Sequence, residues 1–135
     1  MNKEDILHFQ NRVKKISKQN LNEAQTKISL VQPFIEILGY SVSNPFEVKA
    51  EYVSDVGGKR GEKIDYAIVQ NDKPVIFIEC KPCGYRLDAK CCAQLRRYFQ
   101  ATPEVKIGIL TDGVRYHFFL TASSKTLWTN VRLWK

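Results

Sequence analysis

The sequence predicts an α/β fold with a mixed central β-sheet of about five strands flanked by helices. Two helical patterns come first, three strand patterns follow, and a strand–helix–strand unit comes next. The chain of 135 residues, 44% of them hydrophobic, has the size and composition of one soluble domain. We expect a single domain over residues 1–135, with a core over about residues 20–120 and a C-terminal tail over 121–135.

Two amphipathic helices are expected near the N-terminus. Residues 3–18 and 22–38 both carry apolar side chains at helical spacing. The apolar positions are Ile6, Phe9, Val13 and Ile16 in the first helix, and Ile28, Val31, Phe34, Ile35 and Leu38 in the second. Pro33 lies inside the second pattern and predicts a kink or a break there.

Three strand patterns follow the helices. Residues 46–53 alternate in polarity, and residues 63–70 and 75–81 flank the turn-forming cluster 71–74. These strands can form an antiparallel meander. Their order along the chain therefore predicts one half of a mixed sheet.

A strand–helix–strand unit completes the expected sheet. A helix is predicted over 87–101, and strands over 105–110 and 114–120. The strands on either side of this helix should be parallel, with a right-handed crossover. The tail from 121 to 135 is too apolar for a disordered segment, so we expect it to pack on the domain or on a partner.

Charge and hydropathy narrow the classes of partner. The net charge of +7 and the pI near 9.3 favour a polyanion, with nucleic acid as the first candidate and solubility alone as the alternative. The longest apolar run in the strands, residues 75–78, is too short to cross a bilayer, and the N-terminus lacks the apolar core of a signal peptide. We therefore expect a cytoplasmic protein with no membrane partner, whose four cysteines stay reduced.

The residues with the clearest chemical potential lie in the predicted hairpin. Glu79 and Lys81 point to the same side of their strand, and Asp65 lies in the neighbouring strand. Two carboxylates can hold a hard divalent cation such as Mg²⁺, and a lysine beside them can polarise water or bind phosphate. Such a set suits metal-assisted cleavage of a phosphodiester. Glu23, in the first turn of the second helix, is either a third acidic group of the site or a favourable partner of the helix dipole.

A basic loop precedes the hairpin. Residues 55–62 contain three glycines together with Lys59 and Arg60, and Lys63 follows directly. The loop lacks the spacing of a phosphate-binding P-loop. It either lies along a nucleic-acid backbone or forms a long hairpin turn.

The predicted helix 87–101 carries a second polar face. Lys90, Gln94 and Arg97 recur at helical spacing. Gln94 could connect the metal site to substrate, and Lys90 and Arg97 could reach phosphates. The alternative is an ordinary solvent-exposed face.

An ordered series of short segments resembles the PD-(D/E)XK nuclease superfamily. More narrowly, it resembles the N-terminal nuclease domain of type I restriction enzyme R subunits and shorter proteins built on that domain. The matching segments are Glu23 to Lys27, Leu38 to Tyr40, Asn44 to Val48, Glu62 to Ile68, Ile78 to Lys81, Gln94 to Phe99 and Ile109 to Tyr116.

The resemblance implies a restriction-endonuclease-like fold and a metal-dependent DNA endonuclease that uses Mg²⁺, with Mn²⁺ as a substitute. Asp65 and Glu79 would be metal ligands, and Lys81 would orient the attacking water or stabilise the charge of the pentavalent state. Glu23 would support the metal site from the helix. Gln94 would orient the site or a phosphate.

One feature separates this chain from the longer restriction subunits. Those subunits carry an ATP-driven motor, whereas this chain has no Walker motif, so we expect no ATPase activity. The alternative function is a non-catalytic nucleic-acid-binding or assembly module with the same fold. DNA is the expected partner, with RNA as an alternative. A homodimer or a larger restriction-type assembly is expected, because cleavage of both strands normally needs two active sites.

Overall fold

The computed structural model describes residues 2–53, 62–122 and 125–131, with side chains through residue 120. These residues form a six-stranded mixed sheet with helices on both faces, which confirms the α/β fold. The elements are α1 (Lys3–Ile16), α2 (Glu23–Thr26), a π-helical turn (Lys27–Val31), α3 (Gln32–Ile37), β1 (Val48–Tyr52), β2 (Ile64–Gln70), β3 (Lys73–Cys80), α4 (Ala93–Ala101), β4 (Ile107–Thr111), β5 (Tyr116–Ala122) and β6 (Lys125–Val131). No helix in this part of the chain is long and apolar enough to cross a membrane.

The strands lie in the sheet in the same order as in the chain. Strands β3 and β4 are parallel, and every other neighbouring pair is antiparallel. The predicted meander and the predicted parallel pair are therefore both confirmed. The sixth strand comes from the tail, because β6 pairs with β5 from Lys125 to Val131. This part of the tail packs on the domain, which was one of the two expected alternatives.

The β2–β3 hairpin turns more tightly than its composition indicates. Asn71 and Asp72 both have positive φ angles, 51° and 62°, as a two-residue type I′ turn requires. Strand β3 therefore begins at Lys73, two residues earlier than predicted. Pro74 lies inside β3 opposite Val69, beside a shift in register that accommodates its missing N–H.

The second predicted helix is continuous but irregular. α2, the π-helical turn and α3 follow one another without a gap, and we call them the interrupted helix. Pro33 lies in the first turn of α3, where its missing N–H is tolerated. The carbonyl of Ser29, which a regular helix would bond to residue 33, instead accepts a hydrogen bond of 3.2 Å from Arg12 Nε on α1. The irregularity thus takes the form of a widened turn directly before the proline.

The widened turn changes which side chains face the sheet. Ile28, predicted to lie on the apolar stripe, is 57% exposed, and Leu38 at the end of that stripe is 39% exposed. A π turn adds a residue to the helical period, so side chains before it rotate relative to those after it. Thr26 and Leu30 are buried instead, and Lys27 reaches the sheet.

Helices cover both faces of the sheet. On one face, α1 and the interrupted helix pack against Tyr66, Ile68, Ile78, Ile109 and Tyr116. On the other face, α4 packs against Ile64, Ala67, Phe77, Leu110 and Phe119. The start of β2 and the end of β3, which lie side by side, are consequently approached by helices from both faces of the sheet.

Helix α4 begins at Ala93, six residues later than the predicted start at Leu87. Asp88 Oδ1 accepts the Cys91 N–H at 3.1 Å, and this side-chain turn replaces the first helical turn. Cys92, directly before the helix, has a non-helical ψ of 0°. Lys90 therefore lies in the preceding turn and is exposed, so it does not share a helical face with Gln94 and Arg97.

Candidate active site

The two predicted metal ligands lie side by side. The register that pairs Tyr66 with Ile78 places Asp65, near the start of β2, beside Glu79, near the end of β3. The two carboxyl groups lie close enough that a hydrogen bond between them shifts the pKa of both. Asp65 Oδ2 also accepts the Cys80 N–H at 2.7 Å. The hairpin alone therefore brings the two acids into contact.

Burial and proximity separate the pKa values of these acids. Glu79 is 7% exposed, and its burial, the hydrogen bond to Asp65 and the charge of Asp65 raise its pKa to about 10. Burial also disfavours the charge on Asp65, but hydrogen bonds from Glu79, Lys27 and the Cys80 N–H lower its pKa overall. At neutral pH the pair therefore holds one proton and one negative charge.

A lysine from the interrupted helix completes the cluster. Lys27 Nζ lies 2.5 Å from Asp65 Oδ1, and the two side chains are 23% and 14% exposed. Burial opposes the charge on Lys27, but the hydrogen bond to Asp65 and the nearby acidic charges leave its pKa raised. Lys27 is a site residue that the sequence pattern did not predict. Its position four residues after Glu23 is the signal that could have identified it, because residues four apart share a helical face.

The backbone around Lys27 is firmly placed. Thr26 is fully buried, and its hydroxyl donates to the Asn22 carbonyl at 2.8 Å and accepts the Cys83 N–H at 3.0 Å. These bonds join the interrupted helix to the segment that follows β3. The helix and the strand carrying Glu79 are consequently held at a set distance.

Lys81 continues the line of β3. Its N–H donates to the Thr111 carbonyl at 2.8 Å, which extends the parallel pairing one residue past the strand. The charge of Lys81 partly offsets the rise in the pKa of Glu79, after burial and Asp65 have raised it, so the two side chains lie near each other. Within the described residues, no carboxylate lies within 4.0 Å of the Lys81 ammonium.

Glu23 is the first residue of α2 and is partly exposed. Its charge is one of the nearby acidic charges that raise the pKa of Lys27, after burial and Asp65. No hydrogen bond or ion pair joins it to Asp65 or Glu79 in the described part of the chain. Glu23 thus lies next to the cluster rather than inside it.

Helix α4 holds the segment that leads into β2. Gln94 Nε2 donates to the Lys63 carbonyl at 2.7 Å, and the Tyr98 hydroxyl donates to the Glu62 carbonyl at 2.7 Å. Arg97 forms an ion pair with the Glu62 carboxylate. Gln94 therefore acts on the backbone two residues before Asp65. The contacts of Tyr98 and Glu62 were not predicted from the sequence.

The expected phosphate-binding residues differ in their surroundings. Lys63 is half-exposed and lies 3.8 Å from Glu51, and Lys90 is exposed in its turn. Lys59 and Arg60 lie outside the described residues. A phosphate that bound Arg97 would have to compete with the Glu62 carboxylate. The assignment of all five basic residues to phosphate binding stays a prediction.

The carboxylate pair fits a divalent cation. Glu79 Oε2 is buried and has no hydrogen-bond partner among the described groups, so this atom has lost its hydration without compensation. Mg²⁺ is commonly bound by one or two carboxylates, with waters and phosphate oxygens as its other ligands. Among the described residues, no cluster of three or more His, Cys, Asp and Glu side chains could hold a metal ion. Asp65 and Glu79 are the two neighbouring carboxylates that could bind one.

Comparison with known proteins identifies the family of this chain. The model of the family described as type I restriction enzyme R protein N terminus (HSDR_N) matches residues 22–131, a range that includes the whole cluster. No curated protein and no solved structure matches the chain. The resemblance noted from the sequence is confirmed, the PD-(D/E)XK superfamily is consistent with it, and a nuclease-related role is supported. The chain therefore belongs to the family of type I restriction enzyme R protein N-terminal domains.

Proposed function

We propose that this protein is a metal-dependent DNA endonuclease that hydrolyses phosphodiester bonds with Mg²⁺ and without an ATPase motor. The observation that carries the proposal is Glu79 Oε2, which is buried beside Asp65 and has no hydrogen-bond partner among the described groups. A divalent cation would supply the partner that this oxygen lacks.

The cluster is difficult to explain as a device for stability. A second carboxyl group buried against the first loses hydration and is repelled by its neighbour. Apolar residues of similar size would commonly stabilise such a position as well or better. A binding role accounts for the presence of Asp65 and Glu79 together.

Each residue of the cluster has a defined role in the proposed reaction. Asp65 and Glu79 would hold the cation, which when bound would stabilise charge on the phosphate and increase the acidity of water. Lys81, whose ammonium has no carboxylate within 4.0 Å among the described groups, would orient the attacking water or stabilise the developing negative charge. Gln94 would act as a positioning residue through the Lys63 carbonyl. Glu23 would add negative charge at the edge of the site.

DNA would be held through its phosphates. Lys63 and Lys90 are exposed enough to reach a backbone, and Arg97 would need to leave Glu62. Lys59 and Arg60 precede Lys63 in the sequence and would extend the same basic stretch. Binding through phosphates is independent of base sequence and weakens as salt is raised.

The direct test is cleavage of supercoiled plasmid by the purified protein with Mg²⁺, Mn²⁺ or EDTA. We expect nicking and linearisation with either metal, and loss of both in Glu79→Gln and Lys81→Ala. Glu104→Gln and Lys73→Ala are matched controls, because both side chains are exposed and Lys73 lies at the turn end of the β2–β3 hairpin, away from the strand ends that carry the two acids. Cleavage that persists in EDTA, or that survives Glu79→Gln, would contradict the proposed site.

A binding measurement separates catalysis from a non-catalytic role. Affinity for a labelled duplex can be followed by fluorescence anisotropy between low and moderate salt. If wild-type protein binds the duplex but leaves plasmid intact with both metals, the chain is a nucleic-acid-binding module rather than an enzyme.

A further inference from the structure

The ammonium group of Lys27 lies on an oxygen that a bound cation would require. We propose that Lys27 exchanges between Asp65 and a phosphate of the nucleic acid, and so couples metal binding to nucleic-acid binding. In the metal-free protein, Lys27 forms an ion pair with Asp65 Oδ1. When a cation binds, Lys27 leaves that oxygen and neutralises the charge of a phosphate in the nucleic acid. This inference rests on the proposed function of the same site.

The first step is that both oxygens of Asp65 are engaged. Lys27 Nζ lies 2.5 Å from Oδ1, and the Cys80 N–H lies 2.7 Å from Oδ2. Cys80 is the last residue of β3 and is paired with Thr111 in the sheet, so its N–H cannot move away without breaking the strand. The contact with Lys27 is therefore the exchangeable one.

The second step is that a cation and the ammonium oppose each other at this carboxylate. An oxygen has a second lone pair, but two positive groups placed on one oxygen repel each other at close range. Magnesium–oxygen bonds are about 2.0–2.1 Å long, which would bring the ion close to Nζ. Binding of the ion to Asp65 therefore favours departure of Lys27.

The third step is that Lys27 leaves without its helix. Thr26 is tied to Asn22 and Cys83, and Leu30 lies directly against Gly113. The backbone on both sides of Lys27 is thus held, whereas its side chain is a flexible four-carbon stem. The released ammonium stays within reach of the site, where a phosphate would be the new anionic partner.

The exchange has two consequences for the affinity of the protein for metal. Metal affinity is lower than the two carboxylates alone would give, because the cation must displace Lys27. Metal affinity then increases when nucleic acid is present, because the phosphate receives the displaced charge. By linkage, metal increases nucleic-acid affinity by the same factor.

Titration with Mn²⁺, followed by the loss of its free-ion paramagnetic resonance signal, measures the first consequence. We expect Lys27→Gln to bind Mn²⁺ about tenfold more tightly than wild type, whereas Lys27→Arg, which keeps the charge, binds no more tightly. Lys81→Gln removes a charge near Glu79 but not on Asp65, so it reports the long-range effect alone and should change the affinity less. Lys73→Gln, on the exposed hairpin, should leave it unchanged.

A second arm measures the coupling itself. A short duplex with cleavage-resistant phosphorothioate linkages should increase the Mn²⁺ affinity of wild type severalfold and that of Lys27→Gln much less. Circular dichroism in EDTA verifies that each variant is folded, and Lys27→Met replaces Lys27→Gln if the latter unfolds.

The outcomes separate the two proposals. If Glu79→Gln abolishes Mn²⁺ binding but Lys27→Gln binds no more tightly than wild type, the exchange is wrong and the metal site stands. If Lys27→Gln binds more weakly, Lys27 positions Asp65 instead of competing for it. If neither wild type nor Lys27→Gln binds Mn²⁺, the proposed function falls, and the exchange falls with it.

Discussion

Replacement of Gly113 by alanine tests how the turn after β4 holds the interrupted helix. Gly113 has a φ of +87°, and a Cβ there would lie 2.8 Å from Leu30 Cβ and Cδ1 and 3.1 Å from Thr26 Cγ2. The left-handed conformation costs an L-residue about 1–2 kcal/mol. Overpacking against a held helix adds about 1–3 kcal/mol. Alanine lowers the entropy of the unfolded chain and returns about 0.4–1 kcal/mol. We expect Gly113→Ala to destabilise the protein by about 2–4 kcal/mol.

Gly84→Ala is the matched control for this substitution. Gly84 has the same φ of +87°, but a Cβ there would meet nothing within 4 Å. Its expected destabilisation is therefore the conformational part alone, about 1 kcal/mol. The difference of about 1–3 kcal/mol between the variants isolates the close approach of the turn to Leu30.

Urea unfolding followed by circular dichroism measures both variants. With a slope of about 1.5 kcal/mol per molar urea, the midpoint of Gly113→Ala should lie about 1–2 M below that of Gly84→Ala. Equal midpoints would refute the reasoning, because they would mean that the helix yields freely where the structure has it packed against the turn.

Three further predictions concern the same region. Glu79→Gln should stabilise the metal-free protein by about 1–3 kcal/mol at pH 8. The pKa of Glu79 is about 10 in the folded protein and 4.5 ordinarily, so the stability of the wild type falls as the pH rises between those values. Urea midpoints measured in EDTA at pH 5 and pH 8 should therefore differ for the wild type and agree for the variant. Thr26→Val should cost about 1–3 kcal/mol because it leaves the Cys83 N–H unpartnered, and Thr26→Ser should cost less in the same urea assay. Of the four free thiols, Cys83 and Cys91 are partly exposed and the other two are buried, so an aromatic disulfide reagent should modify two thiols in native protein and four in urea; four in native protein would contradict the burial.

The charge of the acid pair is stabilised both by groups in its own hairpin and by a side chain from a distant helix. Asp65 and Glu79 come from one hairpin, and the negative charge on Asp65 is stabilised by Lys27 and by the Cys80 N–H. Glu79 Oε2, which no group in the described part of the chain hydrogen-bonds, is the part that stays uncompensated. Binding sites commonly keep such unsatisfied groups, because the missing interaction is the one that the ligand provides.

The fold followed from the sequence wherever local pattern dominates. Two β-rich runs on either side of a turn-forming cluster predicted the β2–β3 hairpin, and the strand–helix–strand order predicted the parallel pairing of β3 with β4. Boundaries were less accurate where side chains compete with the backbone. Because of the turn formed by Asp88, α4 begins six residues later than predicted. This difference depends on one side-chain hydrogen bond, which the spacing of apolar residues does not predict.

The sequence by itself determined which acids come together, because strand register and alternation place Asp65 beside Glu79 within a single hairpin. Only the tertiary structure decided what charge those acids carry and what holds them. Lys27 and Gln94 reach the site from helices on opposite faces of the sheet, and a helical pattern does not specify which strand end its polar side chains will meet. The pKa of Glu79 depends on burial and on a neighbour's charge, and both arise only when the helices close over the ends of β2 and β3.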